Sequence, residues 1–133
     1  AQAWALFGEG FGTWDQWAPG IDSSQLEGEL REGAVRVNET ESLGTVRQEL
    51  VSFDPQGKAL AYEMRSGLPP FFTGVRNDWV IEELEAGRCR LTGEARFDLA
   101  AEAEAMGPKL EGKMGMTLEV FANAFRDRVQ AKG

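Results

Sequence analysis

Three observations predict an α+β fold. The last third of the chain carries a long amphipathic stretch, the middle reads as strands at roughly ten-residue spacing, and the start holds two short helical patterns. Between Met106 and Val129, Leu110, Met114, Leu118, Phe121, Phe125 and Val129 recur at three- and four-residue steps. That period sets them on one helical face, with Lys113, Glu119, Asn123, Arg126 and Asp127 mostly off it. A helix of about 22 residues is roughly 33 Å long. A stripe of that length needs a broad apolar partner, and the strands are the only candidate for it.

Residues 1–7 read as the tail of a helix, with Trp4 and Phe7 one turn apart, and Gly8, Gly10 and Gly12 then break it. A glycine-rich run can cradle phosphate, but GEGFG matches neither G-x-G-x-x-G nor a P-loop and no strand precedes it, so a helix–helix turn is expected. Thr13 or Asp15 can cap a second short helix that ends before Pro19-Gly20. Strands are expected at 23–27, 34–40, 45–53, 58–65, 73–84 and 88–98. Polar turns fall at Glu29–Gly33, Ser42–Gly44, Asp54–Gly57 and Glu85–Gly87. The paired prolines of SGLPPFF keep 66–72 out of any strand interior. Leu60, Tyr62 and Met64 share a face, as do Cys89, Leu91, Gly93, Ala95 and Phe97. Short turns between successive strands imply an antiparallel meander. The Ala/Glu run at 99–106 leads into the final helix, with Gly107-Pro108 at its first turn.

Length and composition fit one soluble domain over 1–133, large enough to bury a core. No segment reaches the ~18 apolar residues of a transmembrane helix. With 22 acidic against 14 basic residues the net charge is −8, a surface that repels phosphate, so neither nucleic acid nor anionic membrane is an expected partner. Cys89 stands alone, which rules out an intrachain disulfide and fits a reducing or indifferent compartment; a cytoplasmic location is expected. With no histidine, Ser-His-Asp and Cys-His catalysis and histidine metal sites are excluded. No carboxylate loop of the calcium-binding type is present either, so no metal and no cofactor is expected. A homodimer is compatible with the sequence.

Read in order, WALFGEGFGTWDQWAPGI, EGELREGAVR, TVRQELVSFD, KALAYEM, GRCRLTGEARFD and the terminal helix carry a resemblance over essentially the whole chain. The chain resembles the polyketide cyclase/dehydrase and lipid-transport family of the Bet v 1-like, START-related (SRPBCC) superfamily. The WDQWAPGI segment followed by GAVR is its most specific part. The resemblance implies a helix-grip fold: a curved antiparallel sheet wrapped around the long C-terminal helix, with two short helices closing one end. It also implies a cavity between sheet and helix for a small apolar or aromatic molecule. Two departures stand out. Members of the family usually carry a strand before the first helix, and none precedes Ala1 here. Gly93 occupies a place where relatives often have Trp; the missing indole leaves space unless Trp79 fills it.

Expected ligand-binding positions are Gln48, Tyr62, Met64, Trp79, Leu91, Gly93, Met114, Leu118 and Phe121. Most apolar members of the inward face read more readily as plain core. Gln48, at a position where relatives often place Glu, and Tyr62 are more informative, because an inward polar group needs a partner. Arg36, Arg76 and Arg96 can reach the cavity, though rim ion pairs with the many Glu residues account for each more simply. Phe71 and Phe72 read as a cap or lid, and Met106, Met114 and Met116 as a pliable rim near Gly112 and Gly115. No catalytic residue is identified. Binding of a hydrophobic, lipid- or polyketide-like ligand is the expected function. An aromatase/cyclase-type enzyme, with Tyr62, Gln48 or an Arg polarising a carbonyl, is the alternative. A non-catalytic partner-binding domain using the Pro-Pro-Phe-Phe loop is a third reading.

Overall fold

A computed structural model describes residues 2–85 and 88–132. One turn of helix, α1 (Gln2–Trp4), runs into a π-helical stretch (Ala5–Glu9) and then a 3-10 helix (Phe11–Gln16). Six strands follow: β1 (Ile21–Glu27), β2 (Val35–Thr40), β3 (Gly44–Asp54), β4 (Ala59–Ser66), β5 (Phe72–Glu85) and β6 (Arg88–Leu99). A second 3-10 helix (Ala101–Met106) leads into α2 (Gly107–Lys132). The strands pair in chain order, each antiparallel to the next, as a six-stranded meander. Register shifts interrupt the β1–β2, β3–β4 and β5–β6 ladders, and such bulges bend and twist a sheet. The turn expected at Glu85–Gly87 falls on Ala86 and Gly87, outside the described residues. Among the described residues no strand lies beyond β6, so the additional strand that the resemblance implies has no counterpart there.

All six stripe positions of α2 are withdrawn from solvent, Leu110 and Phe125 fully and the other four in part, while Gly112 and Gly115 lie on the exposed side. Phe125 enters an aromatic cluster supplied by the N-terminal segment. Its ring centroid lies 5.0 Å from that of Phe7 and 5.2 Å from that of Trp17. Phe7 in turn meets Trp14 at 4.6 Å and Trp79 at 5.3 Å, and Trp14 donates its indole N–H to the Phe7 carbonyl at 3.0 Å. These fused short helices therefore plug one end of the curved sheet with rings and anchor the C-terminal half of α2. Gly8 is required by that packing: a Cβ there would sit 2.4 Å from the Trp4 ring.

On the opposite face of the sheet charges pair. Asp78 accepts from Arg76 at 3.0 Å and Arg96 at 3.1 Å, and Arg65 bridges Glu49 and Glu63. Arg76 and Arg96 are thus the surface ion pairs that the sequence allows. Arg36 is not.

Candidate functional site

The concave face of the sheet and the N-terminal half of α2 do not close on each other. A cavity of about 590 Å³ remains between them, within the range of small-molecule sites. Val46 and Val75 from the strands and Met114, Leu118 and Phe121 from α2 supply much of its apolar wall. Pro19 and Gly20 border it, as do Thr40, Ser42 and Leu43 from the β2–β3 turn, and Lys113, Met116 and Thr117 from the helix.

The polar groups converge on one part of the floor. Arg36 on β2 pairs across the ladder with Gln48 on β3, which pairs with Met64 on β4; Tyr62 on β4 faces Asn77 on β5. Arg36 is 1% exposed. Its guanidinium carbon lies 3.9 Å from the Phe11 ring centroid, 4.1 Å from that of Trp14 and 4.9 Å from that of Tyr62. These rings offer their negative faces to the cation. Its Nε donates to Gln48 Oε1 at 3.0 Å, Nη2 donates to the same oxygen, and Nη1 donates to the Phe11 carbonyl at 3.1 Å. Asn38 Nδ2 also donates to Gln48 Oε1, at 3.1 Å, and Ser24 Oγ donates to Asn38 Oδ1 at 2.7 Å. Three donors aimed at one atom fix the Gln48 amide with its oxygen toward Arg36.

Among the described residues no carboxylate pairs with this guanidinium. Burial pulls the Arg36 pKa down to about 10, partly opposed by the Tyr62 hydroxyl beside it. Asn77 is buried as well, and its Oδ1 has no hydrogen-bond partner. Among the described residues no group of His, Cys, Asp and Glu side chains is arranged to hold a metal ion.

Six of the nine expected residues line the cavity: Gln48, Tyr62, Met64, Met114, Leu118 and Phe121. Trp79, Leu91 and Gly93 do not. The reason is the packing of Trp79 over Gly93, where an added Cβ would lie 2.5 Å from the indole. The indole fills the space left by the absent side chain and donates to the Tyr62 hydroxyl at 3.3 Å, so this end of the sheet is solid core. Leu91 packs against that core. Phe71 and Phe72 are not part of the lining either; their ring centroids lie 4.8 Å apart in a tilted pair, and Phe72 meets Phe97 at 5.5 Å. Met114 and Met116 border the cavity, whereas Met106 does not. The sequence reading missed Asn38 and Asn77 and, while allowing Arg36 to reach the cavity, favoured a rim ion pair for it.

A curved meander gripping a long helix, with a cavity held open between them, defines a helix-grip domain. Comparisons of structure bear this out. A START superfamily protein from Mycobacterium smegmatis superposes with a TM-score of 0.78 at 17% identity, over 98% of this chain and 89% of that one. Norcoclaurine synthase from Thalictrum flavum gives 0.74 at 14% identity, over 97% and 78%. An uncharacterised protein from Bacillus thuringiensis gives 0.69 at 24% identity, over 93% and 88%. At these identities the likeness is one of fold. Among curated proteins no sequence matches the chain. The chain belongs to the polyketide cyclase/dehydrase and lipid transport family, whose model matches residues 1–129.

Proposed function

We propose that the protein binds a small hydrophobic or aromatic molecule, lipid- or polyketide-like, in the cavity between the sheet and α2. One observation carries this reading. Met114, Leu118 and Phe121 sit on the stripe that faces the sheet, yet all three border open volume, Leu118 and Phe121 while also touching the core. Apolar side chains left around a void lose both burial and dispersion contacts, a loss that a ligand restores. Gln48, Tyr62 and Met64 would contact it from below. No helix among the described residues is long and apolar enough to cross a membrane, and the exposed free thiol of Cys89 supports a cytoplasmic setting.

Native mass spectrometry of the protein purified from its own source tests the proposal. A mass excess of one small molecule per chain is expected, reduced in a Met114→Trp variant that fills the cavity mouth. Protein that carries no adduct and is not stabilised by any member of an apolar compound panel would overturn it.

One contact favours aromatase/cyclase-type catalysis as a second reading. The Tyr62 phenol shares the floor with the Arg36 cation, an arrangement suited to polarising a carbonyl and moving a proton. It lacks a base, since neither His nor carboxylate is among the lining residues. Turnover of a poly-β-keto thioester by the native protein, abolished in Tyr62→Phe, is the measurement that would raise this reading above simple binding.

A further inference from the structure

We infer that the ligand is an organic acid: an apolar body whose carboxylate head pairs with Arg36 at the cavity floor. This rests on the cavity-binding reading above and names the class of molecule bound. The chain has 22 acidic residues and a net charge of −8, yet not one Asp or Glu is among the described residues lining the cavity. The charged side chains that do line it are Arg36 and Lys113, both cationic.

Arg36 is also incompletely paired. A guanidinium carries five N–H donors; its hydrogen bonds to Gln48 and the Phe11 carbonyl engage three, the Tyr62 hydroxyl lies beside it, and none of these partners is a counter-ion. Both of those acceptors are neutral, so a buried positive charge is solvated by dipoles and ring faces alone. Breaking or withholding the counter-charge of a buried ion is strongly unfavourable, and a carboxylate matches the guanidinium fork in charge and geometry. Asn77, nine-tenths buried with its Oδ1 unpartnered, gives a second polar point on the same wall, where a donor on the ligand body would be held. Neighbouring Val46, Val75, Leu118 and Phe121 provide the apolar surroundings that exclude water from the ion pair.

Isothermal titration of the intact protein with biphenyl carboxylate and with the isosteric biphenyl carboxamide, at neutral pH, separates charge from shape. The carboxylate should bind at least about tenfold more tightly, the factor of one charge-assisted hydrogen bond. In Gln48→Glu, which supplies an internal counter-charge and does not depend on removing the buried cation, the preference should fall to about one. Arg36→Met should do the same if it folds. Equal affinity for both compounds in the native protein would overturn the inference while leaving the cavity reading intact. Binding of neither compound would count against both. A carboxylate preference that survives in Gln48→Glu would place the anion elsewhere and equally overturn the assignment.

Discussion

Arg36 is the residue at which the protein departs furthest from an economical design. Its folded pKa of about 10 lies below the ordinary arginine value, chiefly through burial, so the charged form is disfavoured in the fold. Because the folded value is the lower one, that penalty is present in full at neutral pH and fades only as pH rises through about 10. It amounts to something on the order of 3 kcal/mol. Gln48→Glu should therefore raise stability by about 1–2 kcal/mol at neutral pH, the gain being limited by the cost of burying a second charge. The gain should disappear as the pH falls through the range in which the new carboxylate is protonated. Urea midpoints of the two proteins from neutral to acidic pH check both the size and the sign. The position of Arg36 was open to arithmetic. A turn at 42–44 with inward Val46 and Gln48 sets Asn38 opposite Val46 and Arg36 opposite Gln48, and opposed residues share a face. What hid it is the alternation of VRVN, where Val35 and Val37 look like the inward pair; the structure turns them out and the polar residues in.

At the scale of elements, the period of α2 and most of the alternation of β6 were legible because burial and sequence agree there; Ala61 on β4, buried on the outward face, and Cys89 on β6, exposed, break the pattern. The turns were legible from Asp, Pro and Gly chemistry, and strand limits fell within two residues of expectation. Gly112 and Gly115 behave differently from the bending or close-approach roles that they invite. A Cβ at either would meet nothing within 4 Å, so neither position is required by a neighbour. Gly112→Ala and Gly115→Ala should each stabilise the protein, by up to about 1 kcal/mol, measured as a rise in denaturation midpoint. On the outer face of β5 the relevant group is Asp78. Partial burial pushes its pKa up, but the hydrogen bonds from Arg76 and Arg96 outweigh that and leave it below the ordinary value. Its contribution is thus complete above the unfolded carboxylate range and is lost as pH falls through the lower folded value. Asp78→Asn should cost roughly 0.5–1 kcal/mol at neutral pH, as expected for a half-exposed network, and nothing in strong acid.

For the whole molecule, the sequence made the helix-grip architecture readable but not where it would be solid and where hollow. Trp79 illustrates the difficulty: its alternation marks it as inward, yet only its placement over Gly93 decides that this end is filled and the other is open. Void volume is a property of three elements meeting, and no single element records it. Net charge has a consequence at this scale too. The −8 exterior repels the organic anion that the cavity lining attracts, so association should quicken as salt screens the approach. Stopped-flow binding of biphenyl carboxylate should show an on-rate at least about twofold higher at ~0.2 M than at ~0.02 M salt; for the carboxamide the rate should be indifferent to salt. Finally, α2 is loaded like a beam seated at two points, Leu110 and Phe125. Phe125 is gripped by Phe7 and Trp17, while the segment carrying Met114 and Met116 spans a hollow. Such a beam is stiff at its seats and compliant between them, so backbone amides near Met114 should exchange with solvent sooner than those near Phe125. Filling the hollow props that span from beneath, and the amides that slow down would trace the ligand's footprint along the helix.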